Sequence, residues 1–277
     1  MQSINSLSLT SSVNDWLANS HHPCILHIFD QACNLINERK EVLSIVTPQI
    51  GNGPFNLVIQ NDVLFSGCLS IESPLLIFPD QLHLGDLLIH TARVKDWNAL
   101  PDWKTLHRKQ EKILFDLLRL QIPDYLSPTL STLNSLSSTL SYSISTADIS
   151  TAKDMASQVA GLGIGLTPSG DDFLMGAIYA AWIIHPQDVA QKLAQEIAET
   201  AAPLTTSLSA AWLRSAGRGE AGILWHKFFK ALIAGENIQL PITKLLSVGE
   251  TSGADALAGF FGIMNAFKER IISECPS

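Results

Sequence analysis

The residues best suited to chemistry in this sequence gather in two short stretches that are written almost alike. "GLTPSGDDFLMG" (165–176) and "GETSGADALAG" (249–259) align with one gap as G-x-T followed by S-G-x-D-x-L-x-G. Each stands where a polar, glycine-rich loop gives way to an apolar run. That is the signature of a helix N-terminus, with Ser or Thr as candidate cap and Asp in the first turn. Such a junction offers backbone N–H groups and the positive end of a helix dipole, and glycine lets the backbone approach a ligand closely. It is a natural seat for a small anion or phosphate. The aspartates act the other way: they suit a bound metal, an O–H or N–H donor on the ligand, or a proton to be removed. Asp171, Asp172 and Asp255 are therefore the catalytic candidates. Gly163, Gly165, Thr167, Ser169, Gly170, Thr251, Ser252 and Gly253 are candidates for binding. A purely structural account, with Ser-Gly-x-Asp as a cap and Gly176 and Gly259 allowing close helix packing, explains one copy more easily than two.

Between the copies lies "PLTTSLSAAWLRSAGRGEA" (203–221), which starts a helix after Pro203. Thr206 and Ser209 join the candidate binding residues near its start. Arg214 and Arg218, four apart on one face, could clamp a carboxylate or phosphate, or could simply be cations in the last turn of a helix closed by Gly219. "GLGIG" (161–165) by itself is a weak signal, because no strand precedes it. No histidine pair has metal-ligand spacing, and Cys24, Cys33, Cys68 and Cys275 form no C-x-x-C pair, so no metal site is expected. The residues name no cofactor; Mg²⁺ is the one that the aspartates leave open.

The elements that must position these residues divide along the chain. Residues 1–100 read as a β-rich domain, an antiparallel sheet or small barrel, from short apolar runs at 24–29, 42–47, 55–60, 64–71, 75–78 and 86–90 separated by Pro, Gly, Asn and Asp. Residues 101–151 are expected to hold a helix ending near Pro123 and a Ser/Thr-rich connector or lid. In that segment Leu126, Leu130, Leu133, Leu136 and Leu140 keep helical spacing, so an amphipathic helix competes with a flexible linker. Residues 152–277 read as an all-helical domain, with helices near 152–160, 171–184, 187–200, 205–216, 220–234 and 252–268. The fold class is thus α+β, a β-rich domain followed by a helical one.

Composition narrows the partners. The chain has 277 residues, 46% of them hydrophobic, and 18 Lys plus Arg against 26 Asp plus Glu give a net charge of −8. Neither nucleic acid nor an anionic membrane suits such a chain, whereas a small anionic ligand needs only one local pocket. The longest apolar run, Phe173 to Ile184, is too short to span a bilayer. An N-terminus without basic residues or an apolar core gives no signal peptide, so a cytoplasmic location is expected.

Taken together, G-x-G-x-G-L-T-P-S-G-D-D-F-L-x-G, T-T-x-x-S-A-x-x-L and T-S-G-x-D-x-L-x-G resemble the AllH-type family, named after a subunit of oxamate carbamoyltransferase. The resemblance covers about residues 155–265 and is loose in the β-rich half, through "GNGPFNLVI". It implies a component of a multi-subunit enzyme that moves a carbamoyl group between oxamate and phosphate in purine (allantoin) nitrogen use, together with partner subunits. Carbamoyl phosphate, an anion with an amide, would fit the mixed loop chemistry. Two other readings stand beside it. One is a non-catalytic ligand-binding or scaffold subunit, since no Ser-His-Asp or Cys-His set can be assembled. The other is a phosphotransferase, because "SGDDF" is similar to the signature of ribokinase-like sugar kinases; Asp171 would then be the base.

Overall fold

The computed structural model describes residues 2–119 and 134–274. The chain divides into two compact units, Met1–Ala99 and Leu100–Ser277.

The first unit is a nearly closed β structure. Its strands are β1 (Gln2–Leu9), β2 (Cys24–Ile28), β3 (Ala32–Ile36), β4 (Val42–Val46), β5 (Asn56–Ile59), β6 (Leu75–Phe78), β7 (Gln81–Leu84), β8 (Leu87–His90) and β9 (Lys95–Asp96). They are ordered β2-β3-β4-β5-β1-β8-β7-β6, with β9 on β1. Most pairings are antiparallel, as expected, but β1 runs parallel to β8 and β9, and β4 parallel to β5. The Ser-rich strand β1 lies at the centre because Ile4 and Leu9 point inward, onto Leu35, Ile45, Leu57, Leu82 and Ile89. Helix α1 (Ser11–Asn19), capped by Thr10, adds Val13 and Trp16 to that core.

One expected strand is not there. Residues 64–71 hold a short helix, α2 (Phe65–Cys68), tied down where Phe65 N–H donates to the Asp30 carbonyl. The physical reason is that "LFSGCLSI" buries only Phe65, so it lacks the alternating inward side chains a half-buried strand needs.

Among the described residues the second unit contains helices and no strand: α3 (Trp103–Arg108), α4 (Gln110–Arg119), α5 (Asn134–Ser145), α6 (Ile149–Val159), α7 (Ser169–Ile184), α8 (Gln187–Ala201), a 3-10 turn (Ala202–Leu204), α9 (Ser207–Gly217), α10 (Ile223–Ala234), α11 (Gln239–Leu246) and α12 (Ser252–Glu274). Leu126, Leu130 and Leu133 of the Ser/Thr-rich stretch lie outside the described residues. Its later part is helical, and Leu140 and Ile144 of α5 are wholly buried in the core.

Helix α7 is the axle of this unit. Every residue of it except Met175 is buried, as a helix that is apolar nearly all round must be. Along it Tyr179 and Trp182 meet Trp103, Trp225 and Phe229 at ring-centroid distances of 4.9 to 6.1 Å. Their polar edges are satisfied: Tyr179 Oη donates to the Glu220 carbonyl and Trp182 Nε1 to the Ala216 carbonyl.

Candidate functional site

The two similar stretches form the starts of α7 and α12, and these two helices cross in direct backbone contact. A Cβ on Gly176 would lie 1.7 Å from the Ala256 carbonyl oxygen and 3.0 Å from Phe260 N; one on Gly259 would lie 2.0 Å from the Phe173 oxygen and 3.1 Å from Ala177 N. Only glycine fits, and each glycine sits against the same atoms that face its counterpart. The two helices are thus related by a local two-fold, closed by Cα–H groups against carbonyls. The symmetry extends outward. Gly170 packs on the Val159 carbonyl at the end of α6, as Gly253 does on the Leu245 carbonyl in α11. Leu162 N–H donates to Val159 as Val248 N–H donates to Leu245. The duplicated unit is therefore helix, loop, helix: α6–α7 and α11–α12.

Geometry places the gap between the copies more sharply than the sequence did. Gly163, not Gly165, stands against Ser169 as Gly249 stands against Ser252. Pro168 and Thr251 are the matching carbonyls, accepting from Asp172 N–H and Asp255 N–H. Residues 164–167 therefore face Glu250 alone in the shorter loop. The surplus length lets the first loop reach the second: Thr167 Oγ1 and Ser252 Oγ lie 2.8 Å apart in a hydrogen bond.

The three aspartates take different positions. Asp171 is a brace. Its Oδ1 accepts from Gly161 N–H at 2.8 Å and its Oδ2 from the Thr205 hydroxyl, which ties α7 to its own loop and to the segment before α9. Burial raises its carboxyl above the ordinary range, against the pull of those donors. Asp172 and Asp255 each lie four residues before a crossing glycine, hence on the face turned to the other helix. Asp172 is 7% exposed and Asp255 fully buried. Asp172 Oδ2 and both carboxyl oxygens of Asp255 are buried without a hydrogen-bond partner. Burial pushes the Asp172 carboxyl up to about 8; the Ser252 and Thr167 hydroxyls oppose this, while Asp255 and Asp171 add to it.

A third helix start joins the pair. Thr206 caps α9 by accepting from Ser209 N–H and donates its hydroxyl to the Leu166 carbonyl, which anchors the first loop. Ser209 is 2% exposed, with its hydroxyl turned to Asp171. Gly163 and Gly165, at φ 119° and 94°, hold the loop in conformations that other residues avoid. They flank Ile164, which is 95% exposed, and Leu162, Leu166, Leu204 and Val248 continue an exposed apolar rim.

Sequence reasoning had grouped Asp172, Thr167, Ser252 and Asp255, and the structure brings these together. It does not bring Arg214 and Arg218 to them. Both stand at the far end of α9, Arg214 about two turns and Arg218 about three turns from Thr206, where Arg214 pairs with Glu199 at 3.6 Å and Arg218 with Glu220 at 2.7 Å. The N–H groups of Gly170 and Gly253, both binding candidates, are used within their own loops by the Leu162 and Val248 carbonyls. Thr205, in the sequence a competitor with Thr206 and Ser207 for the helix cap, instead donates to Asp171, a role that its position did not signal.

The arrangement therefore presents hydroxyls, the positive ends of three helices and two buried carboxyls with three unpartnered oxygens between them. Among the described residues no three His, Cys, Asp or Glu side chains are grouped to hold a metal ion. No helix is long and apolar enough to cross a membrane. No solved structure matches the chain. One family model does: that of oxamate carbamoyltransferase subunit AllH matches residues 159–264, from the last residue of α6 into α12, and so spans both loops and the start of α9. Over this helical segment the chain is similar to that family.

Proposed function

We propose that this chain is the AllH-type subunit of a carbamoyltransferase complex of the oxamate type, working in purine nitrogen breakdown in the cytoplasm. Its paired loops hold one small anionic ligand that bears a carbamoyl group, with carbamoyl phosphate as the example. The observation that carries this is the union of the two loops into one site: the Thr167–Ser252 hydrogen bond spans them, and Asp172 and Asp255 turn buried, unpartnered oxygens to a common seam. Unpartnered buried carboxyls are costly in a folded protein and are kept where a ligand or proton completes them. The helix ends favour the anionic end of such a ligand and the carboxyls its NH₂ group.

The exposed rim of Leu162, Ile164, Leu166, Leu204 and Val248 fits a subunit whose site is closed by a partner chain, since large apolar side chains grouped around a polar pocket mark docking surfaces. A non-catalytic ligand-binding or scaffold subunit is the second reading, favoured by the engagement of Asp171, one of the three catalytic candidates, as a brace between Gly161 and Thr205. A sugar kinase is not favoured, because both oxygens of Asp171, its required base, are engaged by Gly161 and Thr205.

The test is a thermal-shift series with carbamoyl phosphate, phosphate, oxamate and ATP, with and without Mg²⁺. It is paired with a carbamoyl-transfer assay of the chain alone and with its partner subunits. Stabilisation by carbamoyl phosphate with turnover only in the complex supports the subunit reading. Stabilisation by ATP alone overturns it.

A further inference from the structure

Asp172 and Asp255 pose a charge problem that their surroundings do not solve. Both look into the seam one turn before the crossing glycines, with three of their four oxygens buried and unpartnered. The groups bearing on Asp172, besides Asp255, are hydroxyls and another acid: Thr167 from the first loop, Ser252 from α12, and Asp171 from α7. Among the described residues no salt bridge reaches either of them. Lys153 of α6 is bound to Glu196 of α8, Arg214 of α9 to Glu199 of α8, and Lys244 of α11 is exposed, as are Glu250 and Tyr142 of α5. His107 of α3 is engaged at the other end of α7, on the Ile183 carbonyl, where His185 bonds the Ile144 carbonyl and Arg270 holds Glu274. Two bare carboxylates side by side in a dry seam repel one another, and a single proton removes most of that cost.

We propose that Asp172 and Asp255 hold one proton between them, and that the resulting acid–carboxylate pair reads a primary amide: the acid donates to the amide oxygen and the carboxylate accepts from its NH₂. This rests on the loops being a ligand site, and it names the end of the ligand that the carboxyls take. The pairing is complementary in both directions, since a primary amide offers one acceptor and two donors, and the pair offers a donor and acceptors. Oxamate and carbamoyl phosphate each join a primary amide to an anion, so the same two-ended site would accept either. The elevated Asp172 carboxyl, at about 8, keeps the proton in place at neutral pH.

The test is calorimetric titration of the full chain with oxamate, pyruvate, carbamoyl phosphate and inorganic phosphate, near neutral pH and well above the Asp172 value. Pyruvate is oxamate with CH₃ in place of NH₂. The expected result is a preference for oxamate over pyruvate of about tenfold or more at neutral pH, since an unmatched buried polar group costs at least that. This preference should collapse at alkaline pH in the native chain and persist there in Asp172→Asn, whose side chain keeps a neutral donor beside Asp255. Equal binding of oxamate and pyruvate, or a preference that alkaline pH leaves unchanged in the native chain, overturns the inference while the loops stay an anion site. If none of the four compounds binds, the proposed function falls and the inference falls with it.

Discussion

Thr167 Oγ1 lies 2.8 Å from Ser252 Oγ, a hydrogen bond between residues 85 apart in sequence that makes one structure of two loops. Thr167→Val and Ser252→Ala should each cost about 1 kcal/mol of stability, and a double-mutant cycle should return most of that as coupling. Ligand-induced stabilisation should fall in both single variants. Additive stability losses would mean that the two loops do not act together.

The crossing of α7 and α12 makes a stronger demand. Gly176→Ala and Gly259→Ala each drive a methyl group into a carbonyl oxygen, at 1.7 and 2.0 Å before any relaxation. Each should destabilise by about 3 kcal/mol or more, the upper range for overpacking, as measured by denaturant unfolding. Gly165→Ala, with no atom within 4 Å of the added carbon, should cost only the strain of its positive φ.

A pH prediction follows from the Asp172 carboxyl. Its folded value, about 8, lies above the ordinary 3.8, so between these the folded chain holds a proton that the unfolded chain has lost. The contribution of this group is fully present below about pH 4 and is lost as the pH rises to about 8. At roughly 1.4 kcal/mol per unit the total is a few kcal/mol. Asp172→Asn should flatten that part of the stability curve. Denaturant unfolding of both proteins across the window checks it; equal slopes would show that Asp172 is ionised throughout.

Ile164, 95% exposed between two left-handed glycines, makes little contribution to the folded core. Ile164→Asp should change stability by no more than about 0.5 kcal/mol, yet should weaken co-purification with the partner subunits. Unimpaired assembly would leave the apolar rim without a docking role.

Much of this was legible in the sequence because it depends on local pattern. The doubled S-G-x-D-x-L-x-G marks two helix starts, and its aspartates fall four residues before its last glycines, which fixes them on the contact face. What the sequence could not show is what depends on packing. Asp171 and Asp172 are adjacent and identical in type, yet one has both oxygens tied, by Gly161 and Thr205, and the other keeps Oδ2 buried without a partner. Arg214 and Arg218 have the spacing of an anion clamp, but Glu199 and Glu220 stand beside them. Strand β1 was hidden by its serines, since only its place at the centre of the sheet explains the burial of Ile4 and Leu9. Helix α11 was hidden by Pro241, which the first turn tolerates because an N–H there has no helical partner.

The measurement that bears most directly on the central claim is calorimetric titration of carbamoyl phosphate into the native chain and into Asp255→Ala. Neither carboxyl oxygen of Asp255 holds a hydrogen-bond partner, so its removal breaks no bond of the fold and the variant should stay folded. The account predicts one ligand per native chain and a loss of affinity of about tenfold or more in the folded variant. Equal binding by the two proteins would contradict it.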